Sequence, residues 1–428
     1  MKKLVSMVMA LAMCMSMFVA PAMAAGDVTV TILHHLGEQP KQDGLQALAD
    51  AYTATHPEVS FDIQFVSMDD IITSVKQANM SQDIPGVINI RQAQVASDLM
   101  GTGVFEPIPD DFYVEGMSAE GVSALAFEGV NYGMPLDIGG QGLYYNQTIL
   151  EENGIDPSCV ETISGLLSAC ETLLANGVTP FASGYAETWI ETILVVDSFM
   201  QSGLTSKYPT IAADLMSGAV KFADIPEFPA AFEARMKIIN DYALVDDKAR
   251  SQGGSDQYAQ FGRGESAFMM QGTWAVGEIR KAQAAVGHDN EFHFTTMPWS
   301  DVPAENLATS QVDDSFNVGA ACEDKEVVMD FVKFCGTPEA SQIWVDTSKT
   351  ISPIAGIASA DQDPLTTEIV EVINGEKACF FEGRTVLSGQ YYQDFNACFT
   401  DARVNGLSGA ELVKNLDAAF DNVRNTGN

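Results

Sequence analysis

Hydrophobic residues near the start of the chain repeat with two different periods. Apolar positions alternate in residues 28–33 and 59–65, which is typical of strands, whereas in 43–55 they fall on one face of a helix. An acidic pair at 69–70 is placed to cap a second helix, and a short strand at 85–90 follows it. This order of elements predicts a parallel sheet with helices on its faces.

The rest of the chain continues the pattern and contains proline- and glycine-rich segments. Those at 132–142 and 351–356, together with Pro298, suit crossings between two domains. The further elements that the pattern predicts are strands at 143–145, 266–270 and 291–299 and helices at 190–200, 228–244, 276–285, 327–335 and 409–423.

Residues 1–24 have the features of an export signal. Lys2 and Lys3 precede an apolar run at 4–19, and a small-x-small site predicts cleavage before Ala25. A lipid anchor at Cys14 is the alternative, which we do not favour because the preceding residue is a methionine and not a small residue. We therefore predict an exported protein that is extracellular or associated with the cell envelope. Since no later apolar run approaches the length of a membrane span, we expect the mature chain to be soluble.

Composition narrows the class of partner. The chain has 428 residues, enough for two domains, and its net charge of −36 argues against nucleic acid and anionic lipid. Six cysteines remain after cleavage, and they are either neighbouring disulfide pairs or small buried hydrophobes. The possible pairs are Cys159–Cys170, Cys322–Cys335 and Cys379–Cys398.

Two polar loops follow predicted strands of the first sheet. His35 and Glu38 follow the first strand, and Arg91 and Gln92 follow the third. Ligands of parallel α/β sheets meet the loops at the carboxyl ends of strands, so these side chains are candidates for binding, with helix capping as the alternative. The adjacent histidines 34 and 35 would point to opposite faces of a strand, which makes them a poor metal pair. We predict no metal site and no cofactor.

One segment joins a short apolar strand to an exposed aromatic residue. Residues 261–279 read FGRGESAFMMQGTWAVGEI, which resembles the F-x-x-G-(E/K)-x-A-M-x-x-x-G-x-W pattern of the extracellular solute-binding proteins, family 1, the maltose-binding-protein-like sugar receptors of ABC importers. The segments YGMPLDIGGQGLYYN, NGVTPFASG and SFNVGAACEDKEVVMDFVKFCGTPEASQIW also resemble this family. The chain departs from it at 157–170, where PSCVETISGLLSAC replaces the usual Pro-x-Thr-Trp.

The resemblance implies an α/β fold of the periplasmic-binding-protein type II kind, with two lobes, each a sheet flanked by helices, and a ligand cleft between them. Lobe one would comprise residues 25–134 plus 299–350, and lobe two 135–298 plus 351–428. The crossings predicted from proline and glycine fall close to these limits.

The resemblance also implies that Trp274 faces the cleft, where a flat indole can cover the apolar C–H face of a sugar ring. A core tryptophan at the start of the next helix is the alternative reading. A second group, Trp189 with Tyr185 and Glu187, lies on one polar loop. The remaining candidates for ligand contact are Trp299 at a crossing, with hinge packing as the alternative, and three carboxylates, with a solvated surface group or a helix cap as the alternative for each. These carboxylates are Asp137, Asp313 and Asp314. Trp344 lies on a helix at core spacing and is predicted to be structural.

These observations favour a monomeric carbohydrate receptor that delivers its ligand to the permease of an ABC importer and breaks no bond. A secreted carbohydrate-active enzyme with two carboxylates is the first alternative. Against it, the chain has no H-E-x-x-H, G-x-S-x-G or Walker motif. A receptor for a peptide, polyamine or other non-sugar solute is the second alternative, and an acidic protein would suit a polyamine.

Overall fold

The computed structural model describes residues 28–68, 70–91, 99, 101–191, 204, 207–208, 210–380, 387 and 389–426. The predicted export signal and Gln92 therefore lie outside the described residues, as does most of the helix predicted at 190–200. Within the described ranges, no helix combines the length and the hydropathy that a membrane crossing requires.

Fourteen strands form four sheets in the described part of the chain. In chain order the strands are β1 Val28–His34, β2 Val59–Phe65, β3 Val87–Arg91, β4 Ala126–Phe127, β5 Val130–Asn131, β6 Met134–Pro135, β7 Ile138–Gly139, β8 Gln141–Asn146, β9 Thr179–Phe181, β10 Ser266–Gly272, β11 Phe292–Thr295, β12 Ala308–Val312, β13 Asp314–Val318 and β14 Ala378–Phe380.

Helices cover the sheets. The α-helices span Gln39–Thr55, Ile71–Ser81, Ala119–Ala124, Gln147–Glu152, Ile163–Ala175, Thr188–Glu191, Ile211–Ser217, Phe228–Lys237, Gly254–Gly262, Val276–Val286, Lys325–Cys335, Pro338–Ser348, Pro364–Ile373, Gly389–Asn405 and Gly409–Thr426. A π-helical turn, Ile238–Ala243, continues the helix Phe228–Lys237, and short 3-10 turns span Asp110–Phe112, Pro157–Glu161, Phe222–Asp224, Ala249–Ser251, Thr273–Ala275 and Pro303–Glu305.

A five-stranded sheet in the order β2-β1-β3-β13-β6 forms one half of the molecule. Its first three strands are parallel, as the periodicity predicts, and β13 and β6 complete it in antiparallel pairing from much later in the chain. Helices Gln39–Thr55 and Pro338–Ser348 pack together on this sheet. Their contact includes Gly44, where an added Cβ would lie 3.0 Å from the ring of the fully buried Trp344. The prediction that Trp344 is a core residue is confirmed.

A four-stranded sheet in the order β11-β8-β10-β9 organises the other half. Strand β8 pairs with β10 and β11 in antiparallel fashion, whereas β9 runs parallel to β10. The core around this sheet is rich in phenylalanine and includes Phe181 and Phe268, whose ring centroids lie 5.3 Å apart. Every residue of β10 is buried, and the strand ends at Gly272, two residues before Trp274, which lines the cleft.

Two of the connections between the halves pass through a small sheet in the order β14-β12-β7, and a third follows helix Pro338–Ser348, where Ile351 forms a bridge with Ile138. On the first connection, Asp137 lies between β6 of the five-stranded sheet and β7 of the small sheet. On the second, Asp313 is the single residue between β12 of the small sheet and β13 of the five-stranded sheet. The Asp313 amide donates to the Asp137 carbonyl at 3.2 Å, so the connections lie side by side. The lobe limits at 134, 299 and 351 remain predictions.

Two local predictions are wrong in detail. Asp70 precedes the helix Ile71–Ser81 but makes no capping bond, because its carboxylate accepts a hydrogen bond from Ser67 Oγ at 2.7 Å instead. The strand predicted at 291–299 begins at Phe292 and ends at Thr295, and Trp299 is buried in the irregular segment that follows.

The six cysteines, all within the described residues, are free thiols. Burial raises the pKa of Cys159 and of Cys379 to about 12, so these thiols are protonated at neutral pH.

Candidate functional site

A cleft of about 540 Å³ opens between the two halves. Residues around the five-stranded sheet form one side of it, and residues that follow β9 and β10 form the other. Two carboxylates from the second connection, Asp313 and Asp314, line the floor. The first side includes His35, Leu36, Glu38, Lys41, Phe65 and Met68, and the second includes Glu187, Trp189, Tyr258, Trp274, Glu278 and Lys281.

A buried lysine organises the floor. Lys41 lies in the first turns of helix Gln39–Thr55 and is only 3% exposed. Its Nζ donates to Asp313 Oδ2 at 2.6 Å and to Asp314 Oδ2, and it lies 3.5 Å from Asp137 Oδ2. Because the three carboxylates come from the two connections, the Lys41 ammonium ties both of them to the first helix.

Further contacts fix the orientation of these carboxylates. Asp137 Oδ1 accepts the Asp314 amide at 2.9 Å, and its Oδ2 accepts Trp344 Nε1 at 3.2 Å. On the cleft side, His35 Nε2 lies 3.2 Å from Asp314 Oδ1. Asp137 is therefore held by two partners besides Lys41, and Asp314 has the buried His35 ring nitrogen beside it.

Burial and the lysine act in opposite directions on the protonation of this cluster. Burial alone would raise the pKa of Asp314, but Lys41 and then His35 hold that pKa below its ordinary value. Burial alone would lower the pKa of Lys41, yet the neighbouring carboxylates raise it well above its ordinary value. For Asp137 burial wins over the attraction of Lys41 and raises the pKa to about 7. The floor therefore keeps Lys41 and Asp314 charged at neutral pH.

The raised pKa of Asp137 predicts how the free energy of unfolding depends on pH. Because the folded-state pKa of Asp137 lies above the ordinary value of an unfolded aspartate, the fold prefers its neutral form. The free energy of unfolding of the wild type should therefore fall, relative to that of Asp137→Asn, as the pH rises from about 4 to about 7. Urea titrations of both proteins across this range would measure the difference, and a constant difference would contradict the assignment.

The same three carboxylates are close enough to bind a cation. Among the described residues, Asp137, Asp313 and Asp314 form a group with ligand atoms within 4.8 Å of one another. However, Lys41 Nζ contacts all three carboxylates and already supplies a positive charge there. The arrangement is that of a buried ion cluster with an ammonium at its centre.

Two tryptophans form an aromatic wall on the second side of the cleft. Trp274 lies in the turn directly after β10, and its Nε1 donates to Gln271 Oε1 at 2.9 Å. An added Cβ at Gly272 would overlap the Trp274 ring, which explains the glycine two residues before it. Trp189 donates from Nε1 to Glu187 Oε2 at 2.5 Å, and its ring centroid lies 6.4 Å from that of Trp274. Both rings are half-buried and line the cleft.

Glu38 connects the two sides. Tyr258, on helix Gly254–Gly262, donates from its hydroxyl to Glu38 Oε1 at 3.5 Å. Burial raises the pKa of Glu38, and the opposing effect of Lys41 is smaller. The Tyr258–Glu38 contact therefore joins a segment of one half to a segment of the other across the cleft.

The structure brings together most, but not all, of the residues that the sequence suggests. Those that line the cleft are His35, Glu38, Glu187, Trp189, Trp274, Asp313 and Asp314. Asp137 lies beneath the floor, fully buried, and acts on the cleft only through Lys41 and Asp314. For Arg91 the structure describes only the backbone, at the end of β3, and Gln92 lies outside the described residues.

Two predicted contacts do not line the cleft. Tyr185 packs against the phenylalanine-rich core, and burial raises the pKa of its hydroxyl. Trp299 is buried in the same core, where its Nε1 donates to the Glu305 carbonyl at 2.7 Å. Both residues belong to loops with polar neighbours, and loop polarity does not reveal which way a large ring turns.

Several cleft residues are not among the candidates that the sequence suggests. They include Lys41, Phe65, Tyr258 and Glu278. Phe65 is the last residue of a predicted strand, and its position at a carboxyl end was a usable signal. Lys41 offered no such signal, because a lysine near a helix start is ordinarily a solvated surface residue.

Comparison with solved structures defines the class of protein. A structure described as a chitin oligosaccharide binding protein superposes with a TM-score of 0.78 at 20% identity, covering 93% of this chain and 99% of that one. The chain thus has the two-lobed periplasmic-binding-protein type II fold, with an interlobe cleft, and the predicted fold class is confirmed.

The sequence defines the family. Residues 47–368 match the model of the bacterial extracellular solute-binding protein family, and the chain belongs to that family. An uncharacterized ABC transporter extracellular-binding protein of Pyrococcus horikoshii is 24% identical over 63% of this chain, and the match spans 58% of that relative's length. The multiple sugar-binding protein of Streptococcus mutans is 22% identical over 92% of this chain and 91% of its own length. This family consists of binding proteins, and the predicted resemblance is confirmed.

Proposed function

We propose that the protein is a carbohydrate receptor of an ABC importer. The observation that carries the proposal is the composition of the cleft, in which Trp189 and Trp274 face a floor made by Lys41, Asp313 and Asp314. A sugar presents apolar C–H faces and hydroxyl-bearing edges, so indole rings suit its faces and oriented carboxylates suit its hydroxyls. The names of the relatives, which include a multiple sugar-binding protein and a chitin oligosaccharide binding protein, support this ligand class.

The proposed mechanism is closure of the cleft on the ligand. A sugar that contacts both sides stabilises the closed arrangement by its differential affinity for it, and a membrane permease then recognises the closed protein. The exported chain would act as a monomer after removal of residues 1–24, with the sugar and the permease subunits as its partners.

The protonation state of the floor carboxylates supports binding without bond cleavage. A glycosidase needs one protonated carboxyl group as an acid and a second, ionised group. Asp314 contacts the Lys41 ammonium, which holds its pKa low, so Asp314 does not supply the protonated member of such a pair. An oligosaccharide incubated with the protein should be recovered intact, and new reducing ends would contradict the proposal.

A thermal-shift panel tests the ligand class. We expect at least one mono- or oligosaccharide to raise the melting temperature, since a ligand at 100 times its Kd adds about 2.7 kcal/mol of stability. Spermidine and a tripeptide serve as the non-sugar arms. A shift with either of these and with no sugar would overturn the carbohydrate assignment.

A further inference from the structure

Phe65 is an aromatic side chain that the fold does not bury. It ends β2, the edge strand of the five-stranded sheet, and is 58% exposed. On one side its ring contacts the buried His34, with ring centroids 5.6 Å apart. Phe65 also lines the cleft, as do Met68 and Leu36. A large exposed ring inside a ligand-sized cleft indicates a contact surface more than a packing role.

The cleft therefore has apolar surface on two sides. Phe65 and Met68 stand on the side of the five-stranded sheet, whereas Trp189 and Trp274 stand on the side of the four-stranded sheet. The polar groups lie between these walls, at the floor, where Lys41 fixes Asp313 and Asp314. A ligand that matches both apolar sides and the polar floor has two apolar faces and a polar edge.

We propose that the cleft selects pyranose units whose ring hydroxyls are all equatorial, as in β-linked glucose or xylose. One face of the ring would contact Phe65, the other face would contact the two tryptophans, and the edge of the ring would point to the floor. In such a ring the hydroxyls radiate around the rim and only C–H bonds point from either face. The rim hydroxyls then meet the carboxylates of the floor while both faces meet aromatic or thioether surface. This inference rests on the proposed function and specifies its ligand class.

An axial hydroxyl is incompatible with this arrangement. It projects from one face of the ring, as in mannose and galactose units, and would be pressed against Phe65 or an indole. Burying a hydroxyl without a hydrogen-bond partner is unfavourable, and the wall residues Phe65 and Met68 offer no strong acceptor. Phe65 is thus a specificity-determining residue, because it closes the second face of the ring.

Calorimetric titration with four trisaccharides tests the inference. Apart from the reducing-end anomeric position, cellotriose and xylotriose carry only equatorial ring hydroxyls. β-1,4-Mannotriose carries an axial hydroxyl at C2 of every unit, and β-1,4-galactotriose carries an axial oxygen at C4 of every unit, which is a free hydroxyl at the non-reducing end. We expect at least one of the first pair to bind about tenfold or more tightly than both of the second pair. Equal or tighter binding of mannotriose or galactotriose would overturn the inference.

Variants of Phe65 test whether its aromatic ring causes the preference for equatorial sugars. Phe65→Ala should reduce the preference for the equatorial sugars with little change in the ligand-free melting temperature, because the side chain is mostly exposed. Phe65→Trp should retain the preference, and Phe65→Leu should lose most of it. Phe127→Ala, at an exposed phenylalanine outside the cleft, is the control and should leave it unchanged. An unchanged preference in Phe65→Ala would also overturn the inference.

The outcomes separate the inference from the proposed function. If other sugars of the thermal-shift panel bind but cellotriose and xylotriose do not, the equatorial rule is wrong and the sugar receptor stands. If no sugar of either set binds, the proposed function fails and the inference fails with it.

Discussion

Replacing Lys41 by methionine should lower the free energy of unfolding by about 3–5 kcal/mol, the range found when one partner of a buried ion cluster is removed. Methionine keeps most of the volume and the unbranched stem but leaves Asp137, Asp313 and Asp314 without their common cation. All three carboxylates are at most 4% exposed, so water compensates little of the lost positive charge. Guanidinium titration of the ligand-free protein measures the loss.

Two further variants separate charge from packing. Lys333→Met removes an exposed lysine that pairs with Asp111 at 3.3 Å, and should change stability by at most about 1 kcal/mol. Adding Asp313→Asn and Asp314→Asn to Lys41→Met should restore part of the loss, because the uncompensated negative charges are removed. A Lys41→Met protein as stable as the wild type would show that water reaches this cluster.

Replacing Trp274 by alanine should weaken sugar binding about 30-fold or more, as expected for an aromatic residue that carries at least 2 kcal/mol of binding energy. The structure also gives this ring a packing role, since it covers Gly272 and is half-buried. The ligand-free protein should therefore lose about 1–2 kcal/mol, less than the 3–5 kcal/mol typical of a fully buried aromatic residue. Calorimetry with the sugar that the thermal-shift panel identifies gives the first quantity, and guanidinium titration gives the second.

Trp299→Ala is the matched control for Trp274→Ala. Trp299 is 5% exposed and packs in the core beside the four-stranded sheet, away from the cleft. Its truncation should cost more stability than that of Trp274 and leave the affinity for the sugar nearly unchanged. The opposite pattern, with unchanged affinity in Trp274→Ala, would remove this ring from the site.

The elements that the sequence predicts well are those whose signal is local. The alternation at 28–33 and 59–65 and the helical spacing between them are sufficient for the parallel part of the five-stranded sheet. The antiparallel addition of β13 and β6 depends on pairing between residues more than a hundred positions apart, which periodicity cannot show.

The site divides in the same way. Trp274 is predictable because residues 261–279, a continuous stretch of the chain, carry the resemblance that implies its place in the cleft. Lys41 is not, because its partners Asp137, Asp313 and Asp314 come from two distant connections, and only the folded chain turns an ordinary surface lysine into a buried one. Trp299 shows the converse error, since a tryptophan after a proline at a crossing is as compatible with the core as with the cleft.

The side-by-side placement of the two connections also bears on how the ligand leaves. These two passages run through the floor carboxylates and share one ammonium, so a hinge formed by them would lie close to these groups. Groups close to such a hinge would move least when the cleft opens, whereas the aromatic side chains that line its two sides would move farther. A bound ligand would then lose its contacts with the aromatic side chains first and its contacts with the floor carboxylates last.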